Sequence, residues 1–131
     1  MNTSQPVRIV IVDDHETLRH TLRLYLQQFE HLQLVGEAGS GYEALQLCAQ
    51  QKPDVVLMDI LMPGMDGIDA TRAIRQEHPD VRVIGMTGME YERLERDALE
   101  AGAAAFLYKG MLDDRLVAAI YQALGGEPQA D

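Results

Sequence analysis

The sequence predicts a single α/β domain in which five parallel strands alternate with five helices. Five short apolar runs are separated by amphipathic stretches: Arg8–Val12, Leu32–Glu37, Val55–Met58, Val81–Met86 and Ala104–Tyr108. The first run after Arg8 and the whole third run are continuously apolar, which is typical of central strands with helices on both faces. A strand–helix order repeated five times requires right-handed crossovers and places helices on both sides of the sheet.

The stretches between the runs have helical spacing of their apolar residues. One buried stripe predicts a first helix over Glu16–Phe29. The other predicted helices are Gly41–Gln51, Gly67–Glu77, Tyr91–Ala101 and a last helix with Leu112, Leu116, Ala119, Ile120 and Ala123 on one face. Pro53 and Pro79 follow two of these helices, and Gly102 is a natural C-cap.

The alternating second run predicts an edge strand, because one of its faces carries polar residues. We expect the domain to span residues 7–124. The residues after Leu124, GGEPQAD, predict a tail or linker at 125–131.

Composition and charge limit the functions that this chain can have. Its 131 residues suffice for one hydrophobic core, and its net charge of −10 disfavours direct binding to nucleic acid. Cys48 is the only cysteine, so no internal disulfide can form. No apolar run is long enough to span a membrane, and the first residues do not resemble a secretory signal. These features predict a cytoplasmic protein.

Polar residues follow four of the five predicted strands. The residues are Asp13 and Asp14 after the first strand, Asp59 after the third, Thr87 after the fourth and Lys109 after the fifth. In open α/β sheets, ligands bind outside the carboxyl ends of the strands. With the strand order 2-1-3-4-5, the first and third strands are neighbours, so we expect the three carboxylates to converge.

Three converging carboxylates repel each other unless a cation or a proton joins them. Because the cluster offers only oxygen ligands, a hard ion is favoured, and Mg²⁺ fits best since it commonly takes a further ligand from a phosphoryl oxygen. An amine and a hydroxyl opposite such a metal suit phosphoryl transfer. Asp59 is then the candidate nucleophile, because carboxylates can form acyl phosphates.

Each of these residues also has a purely structural interpretation. Asp13 or Asp14 could cap the first helix, Thr87 could be a turn residue, and Lys109 could be an ordinary surface lysine. However, Lys52 and Lys109 are the only lysines, and a compact ammonium at a strand end favours a point-charge role. The whole set is harder to explain structurally than any single member.

The motifs at these positions resemble the receiver domains of bacterial two-component response regulators. The matching segments are VDDH at 12–15, VLMDILMPGMDG at 56–67, MTG at 86–88 and AGAAAFLYKG at 101–110. The resemblance covers residues 7–124 and implies a flavodoxin-like fold. DDH at the first site and Lys-Gly at the last are most similar to the LuxR-type subfamily.

This resemblance implies a role for each residue of the acidic cluster. Asp59 is the expected phosphoacceptor, Asp14 a direct Mg²⁺ ligand and Asp13 a ligand through water. Leu61 is expected to offer its backbone carbonyl to the metal. The protein would then be a signalling domain that accepts its phosphoryl group, rather than an enzyme that turns over a separate substrate.

The resemblance also implies a switch and a set of partners. Thr87 and Lys109 are expected to contact the phosphoryl group, and Phe106 is the expected switch aromatic. Gly110 replaces a frequent proline, so the conformation of that loop stays open. The implied partners are a sensor histidine kinase or a phosphotransfer protein, a second copy on phosphorylation, and a DNA-binding output domain beyond Asp131.

Other classes of protein with the same topology remain alternatives at this stage. A phosphohydrolase with an aspartate nucleophile needs a second aspartate two residues later, where this chain has Leu61. A flavin-binding module needs a glycine- and hydroxyl-rich loop after the first strand, where this chain has the anionic DDHE. A receiver that no longer takes phosphate is the third alternative.

Overall fold

A five-stranded parallel sheet with helices on both faces forms the protein. The computed structural model describes residues 5–62, 64–88, 92–109 and 114–125. The strands are β1 (Val7–Val12), β2 (Leu32–Ala38), β3 (Val55–Asp59), β4 (Arg82–Thr87) and β5 (Ala105–Tyr108). The helices are α1 (Glu16–Leu26), α2 (Gly41–Gln51), α3 (Gly67–Glu77), α4 (Glu92–Glu100) and α5 (Asp114–Ala123).

The strand order is β2-β1-β3-β4-β5, so the predicted order is confirmed, and so is the edge position of the second strand. All four neighbouring pairs are parallel. At the carboxyl end of the sheet, Asp59 pairs with Met86 and Thr87 pairs with Tyr108. The register therefore places the ends of β3, β4 and β5 side by side.

Alternate residues of the strands contribute to two separate hydrophobic layers. Val10 and Val12 of β1 lie in one buried layer, which is shared with residues of α2, α3 and α4. Ile9 and Ile11 lie in the other layer, with residues of α1 and α5. Successive side chains of a strand point to opposite faces, so a strand covered on both sides must be apolar throughout. The continuous apolar runs in the sequence reflect this arrangement.

Several element boundaries differ from the predicted ones by one to three residues. α1 ends at Leu26 rather than at Phe29, because the amides of Gln28 and Phe29 bond to carbonyls three residues back and the chain leaves the helix. β3 and β4 each run one residue further than predicted, since Asp59 still pairs with Met86 and Thr87 with Tyr108. The remaining shifts are at the starts of β1, β4 and β5, at the end of β2 and at the end of α4. Tyr91 and Leu112, which were predicted to lie in the last two helices, are outside the described residues.

The helix ends are formed by local hydrogen bonds. The Ser40 side chain accepts a bond from the Glu43 amide at 3.2 Å, and Asp66 accepts one from the Asp69 amide at 2.8 Å. Lys52 ends α2 in the left-handed conformation, and Gly102 has a φ of +113° after α4, as expected for its predicted capping role. Within the described ranges, no helix has the length and apolar character needed to cross a bilayer.

The first residue of α3 packs directly against the end of β3. A Cβ atom added to Gly67 would lie 2.2 Å from the Asp59 carbonyl oxygen and 2.5 Å from the Ile60 Cα. The Gly67 amide also donates to the Ile60 carbonyl at 3.0 Å. Because these neighbours are backbone atoms, they can make room only if the strand end moves.

We therefore expect Gly67→Ala to lower the free energy of unfolding by about 1–3 kcal/mol. The matched control is Gly39→Ala, whose added Cβ would lie 3.6 Å from the nearest atom, an ordinary contact. We expect that control to stay within about 1 kcal/mol of the wild type. Urea unfolding of the three proteins makes the comparison, and equal stabilities for the two variants would contradict the close packing at Gly67.

Candidate functional site

The carboxyl ends of β1, β3 and β5 bring the predicted polar residues together. Asp59 is the last residue of β3, Asp13 and Asp14 directly follow β1, and Lys109 directly follows β5. The Asp13 and Asp59 residues are 0% and 1% exposed, so both carboxylates are buried in the protein. The expected convergence of the carboxylates at this edge of the sheet is thus observed.

Lys109 links the two buried carboxylates. Its Nζ lies 2.7 Å from Asp13 Oδ2 and 3.3 Å from Asp59 Oδ2. The Lys109 side chain is only 18% exposed. Lys109 is therefore not an ordinary surface lysine, because its ammonium faces the carboxylates rather than water.

The carboxylates keep unused capacity to accept ligands. The Leu61 amide donates to Asp59 Oδ1 at 3.2 Å, and the His15 amide donates to Asp13 Oδ1 at 2.8 Å. Among the described residues, three buried carboxylate oxygens have no partner beyond the side chains of Lys109 and His15: Asp13 Oδ2, Asp14 Oδ1 and Asp59 Oδ2. The first and third have only their ion-pair contacts with Lys109. Such oxygens are costly to bury without a further partner.

Burial is the main cause of an unusual protonation equilibrium at Asp59. Removal from water, followed by the neighbouring charge of Asp13, raises the pKa of Asp59 from its ordinary 3.8 to about 6. The Lys109 ammonium and the Leu61 amide act in the opposite direction, but they do not cancel the increase. The ionised Asp59 is therefore a strained group that gains from any added positive charge.

The other two predicted site residues lie on the neighbouring strands β4 and β5. Thr87 is fully buried at the end of β4, next to Tyr108 in the sheet register. Phe106 packs over Gly85, where an added Cβ would lie 2.9 Å from the phenyl ring. The rings of Phe106 and Tyr108 meet edge to face at 5.7 Å, and the Tyr108 hydroxyl donates to Glu95 of α4 at 3.4 Å. Gly110 lies outside the described residues, so the open question about its loop remains.

Two residues of the site were not singled out in the sequence. His15 places Nδ1 3.1 Å from Asp13 Oδ1 and 3.3 Å from Asp14 Oδ1. Arg19 donates from Nη1 to the Asp13 carbonyl at 2.5 Å. His15 is also the N-cap residue of α1, so neither aspartate has the capping role that was considered for it. A basic residue in the first turn of the helix after DDH is the signal that could have indicated Arg19.

Arg19 is itself held by a charged group on β2. Its Nε lies 3.4 Å from Glu37 Oε1, and Arg23 binds both oxygens of Glu37 at 2.6 and 2.9 Å. The bond from Arg23 holds the pKa of Glu37 below its usual range. This network ties α1 and β2 to the backbone of Asp13 and so fixes the position of the first acidic loop.

The donor set can hold a divalent cation. Asp13, Asp14, His15 and Asp59 can each present one ligand atom, and these atoms all lie within 4.8 Å of one another. Opposite ligands of an octahedral Mg²⁺ are about 4.2 Å apart, so small side-chain movements suffice. Three of the four groups are carboxylates, which are the ligands that a hard cation prefers.

The raised pKa of Asp59 predicts a specific pH dependence of stability. A group with a higher pKa in the folded state stabilises the fold when protonated, and this contribution is lost as the pH rises from about 4 to above about 6. Over that range we expect Asp59→Asn to gain stability relative to the wild type, by about 1–3 kcal/mol at pH 7, and to match it near pH 3.5. Chemical denaturation at several pH values measures the difference.

The matched control for this prediction is Asp80→Asn, because Asp80 is exposed. Its difference from the wild type should not vary with pH in this way. A difference between the wild type and Asp59→Asn that is constant from acid to neutral pH would show that Asp59 is not strained.

Comparisons with known proteins agree with this fold. Residues 9–121 match the family described as the response regulator receiver domain. The response regulator GacA of Pseudomonas viridiflava is 40% identical over 121 residues, which are 92% of this chain and 56% of GacA. This chain therefore spans only about half the length of that relative.

Two solved structures have the same architecture. The signal receiver domain of NarL from Mycobacterium tuberculosis superposes with a TM-score of 0.87 at 34% identity, covering 94% of this chain and 99% of that one. A LuxR-family response regulator from Aurantimonas sp. SI85-9A1 gives 0.86 at 33% identity, covering 94% and 89%. These matches do not favour the phosphohydrolase or the flavin-binding alternative. The chain belongs to the response regulator receiver domain family, in its LuxR-type branch, and is a domain for phosphorylation-dependent signalling.

Proposed function

We propose that this domain accepts a phosphoryl group on Asp59, in a reaction that requires Mg²⁺, from a sensor histidine kinase or a phosphotransfer protein. The observation that carries this proposal is the buried, charge-strained carboxylate of Asp59, which shares the Lys109 ammonium with Asp13. Phosphorylation of Asp59 would replace its carboxylate with an acyl phosphate. The phosphoryl oxygens could then contact both a metal ion and an ammonium.

The ligands for Mg²⁺ would come from the acidic cluster. Asp14 and Asp59 would bind the ion directly, Asp13 would bind it through water, and the backbone carbonyl of Leu61 would supply a further oxygen. The proposal is supported by the three buried carboxylate oxygens whose only partners are Lys109 and His15. When bound, Mg²⁺ would neutralise negative charge on the carboxylates and on the incoming phosphoryl oxygens.

Lys109 and Thr87 would hold the phosphoryl group. Lys109 already contacts Asp59, so a short movement of its ammonium would place it against a phosphoryl oxygen on that residue. Thr87 ends the neighbouring strand, and its hydroxyl would serve as a neutral donor on that side. In-line attack by Asp59 then needs no general base, because its carboxylate is the nucleophile when ionised.

Phosphorylation would change the surface formed by α4, β5 and α5. Thr87 would move towards the phosphoryl group, and Phe106 would turn inward to fill the space behind it. The packing of Phe106 over Gly85 and against Tyr108 supports this route, because Tyr108 also contacts α4. The Thr87 hydroxyl would have a different partner in the phosphorylated and the unphosphorylated protein. This difference would favour one conformation over the other.

The partners follow from the family and from the charge of this domain. We infer that its output is transcriptional, through a DNA-binding domain or a regulated partner, and that phosphorylation promotes pairing with a second copy. The relatives in the LuxR-type branch support this inference, and GacA is about twice as long as the matching region. With a net charge of −10, the receiver domain itself should bind DNA poorly.

The first test is labelling by a small phosphodonor. Incubation of the protein with acetyl phosphate and Mg²⁺ should add the mass of one phosphoryl group, and excess chelator should prevent this addition. Asp59→Asn should remain unlabelled, whereas Asp80→Asn should react as the wild type does. Labelling of Asp59→Asn, or equal labelling in chelator, would refute the proposed reaction.

The second test concerns the coupling from Thr87 to Phe106. Hydrogen exchange should show that phosphorylation changes the amide protection of β5 and α4 in the wild type. Thr87→Ala should still accept phosphate but lose most of this change, because the hydroxyl that is drawn towards the phosphoryl group is missing. Thr21→Ala, an exposed threonine on α1, is the control. A full response in Thr87→Ala would mean that another residue carries the coupling.

A further inference from the structure

We infer that His15 is a fourth metal ligand at the acidic site, and that it gives this site an affinity for imidazole-preferring transition-metal dications. The inference rests on the proposed function insofar as that function places a divalent cation between Asp14 and Asp59. It adds a nitrogen ligand to a set that is otherwise made of oxygen atoms.

The His15 ring lies beside the carboxylates of Asp13 and Asp14. Nδ1 lies 3.1 Å from Asp13 Oδ1 and 3.3 Å from Asp14 Oδ1. The first separation is a hydrogen-bond distance, and the second is close to the distance of about 3.0 Å between adjacent ligands of an octahedral ion with bonds of 2.0–2.1 Å. A cation bound to Asp14 therefore has the imidazole within reach after a small rotation of the ring.

The backbone around His15 explains why the ring lies there. The His15 amide donates to Asp13 Oδ1 at 2.8 Å, which closes a tight turn between β1 and α1. His15 is the N-cap residue of α1, yet its side chain makes no capping hydrogen bond. The ring instead faces the carboxylates, although 67% of this side chain is exposed to solvent.

An imidazole changes which ions the site prefers. Mg²⁺ favours oxygen ligands and keeps several waters, so it gains little from a nitrogen donor. Affinity for nitrogen ligands rises along the series from Mn²⁺ to Ni²⁺ and Cu²⁺. His15 should therefore strengthen the binding of Ni²⁺ much more than the binding of Mg²⁺.

The test compares the affinities of the full chain for Mg²⁺ and Ni²⁺, each measured by titration calorimetry. His15→Ala should weaken Ni²⁺ binding at the site by about tenfold or more. Loss of a group that only supports a metal ligand already costs about tenfold in affinity. It should change the affinity for Mg²⁺ by less than about threefold, because oxygen ligands dominate there. His20→Ala is the matched control, since His20 is an exposed histidine on the same helix, and it should change neither value.

A spectroscopic measurement identifies the ligand directly. With Mn²⁺ at the site, electron spin echo envelope modulation should show a nitrogen coupling in the wild type and in His20→Ala, and no such coupling in His15→Ala. A nitrogen coupling that persists in His15→Ala, or equal weakening of Mg²⁺ and Ni²⁺ binding in that variant, would overturn the inference. Failure of the proposed function looks different, because Mg²⁺ then fails to support phosphorylation in the wild type itself.

Discussion

The burial of the Asp59 carboxylate beside Asp13, with Lys109 as their shared counter-charge, is the constraint on which the site depends. One ammonium faces two buried carboxylates, and a third carboxylate from Asp14 lies at the same edge. The raised pKa of Asp59 shows that Lys109 does not compensate fully for lost hydration and for repulsion. The site is therefore built to gain from an added cation and from a group that spreads negative charge over several oxygens.

The rest of the fold holds these charges together against their repulsion. Asp13 and Asp59 lie at the ends of β1 and β3, in which Ile9–Val12 and Val55–Met58 are fully buried, so the two carboxylates cannot separate without disrupting the sheet. Gly67 lets α3 pack closely behind Asp59, and Arg19, supported by Glu37, fixes the Asp13 backbone. Stability from the hydrophobic layers thus maintains a local arrangement that is unfavourable by itself.

The sequence predicted the sheet well because burial on both faces leaves a clear pattern. Continuous apolar runs identified β1 and β3, and the strand-end rule then brought Asp13, Asp59 and Lys109 to one edge. The end of α1 was predicted too late, because Phe29 continues the apolar spacing although the backbone has already turned at Leu26. The ring centroids of Phe29 and Tyr25 are 5.3 Å apart, so Phe29 still packs against the helix. The apolar spacing therefore indicated which residues pack together, but not where the helix ends.

Side chains in the turn after β1 could not be predicted in the same way. The placement of His15 depends on a turn closed by its own amide and the Asp13 carboxylate, and the placement of Arg19 depends on Glu37 of a different strand. The spacing of residues in the sequence cannot predict such contacts, because they depend on the backbone conformation of the loop and on the register of β1 with β2.

The measurement that tests this account most directly is the pKa of Asp59 in the folded protein, determined by carbon-13 NMR of the carboxyl group with and without Mg²⁺. The account predicts a pKa of about 6 without the metal and a marked decrease when Mg²⁺ binds, because the cation stabilises the ionised carboxylate. An ordinary pKa near 3.8 that Mg²⁺ leaves unchanged would contradict it, since Asp59 would then be neither strained nor close to the ion.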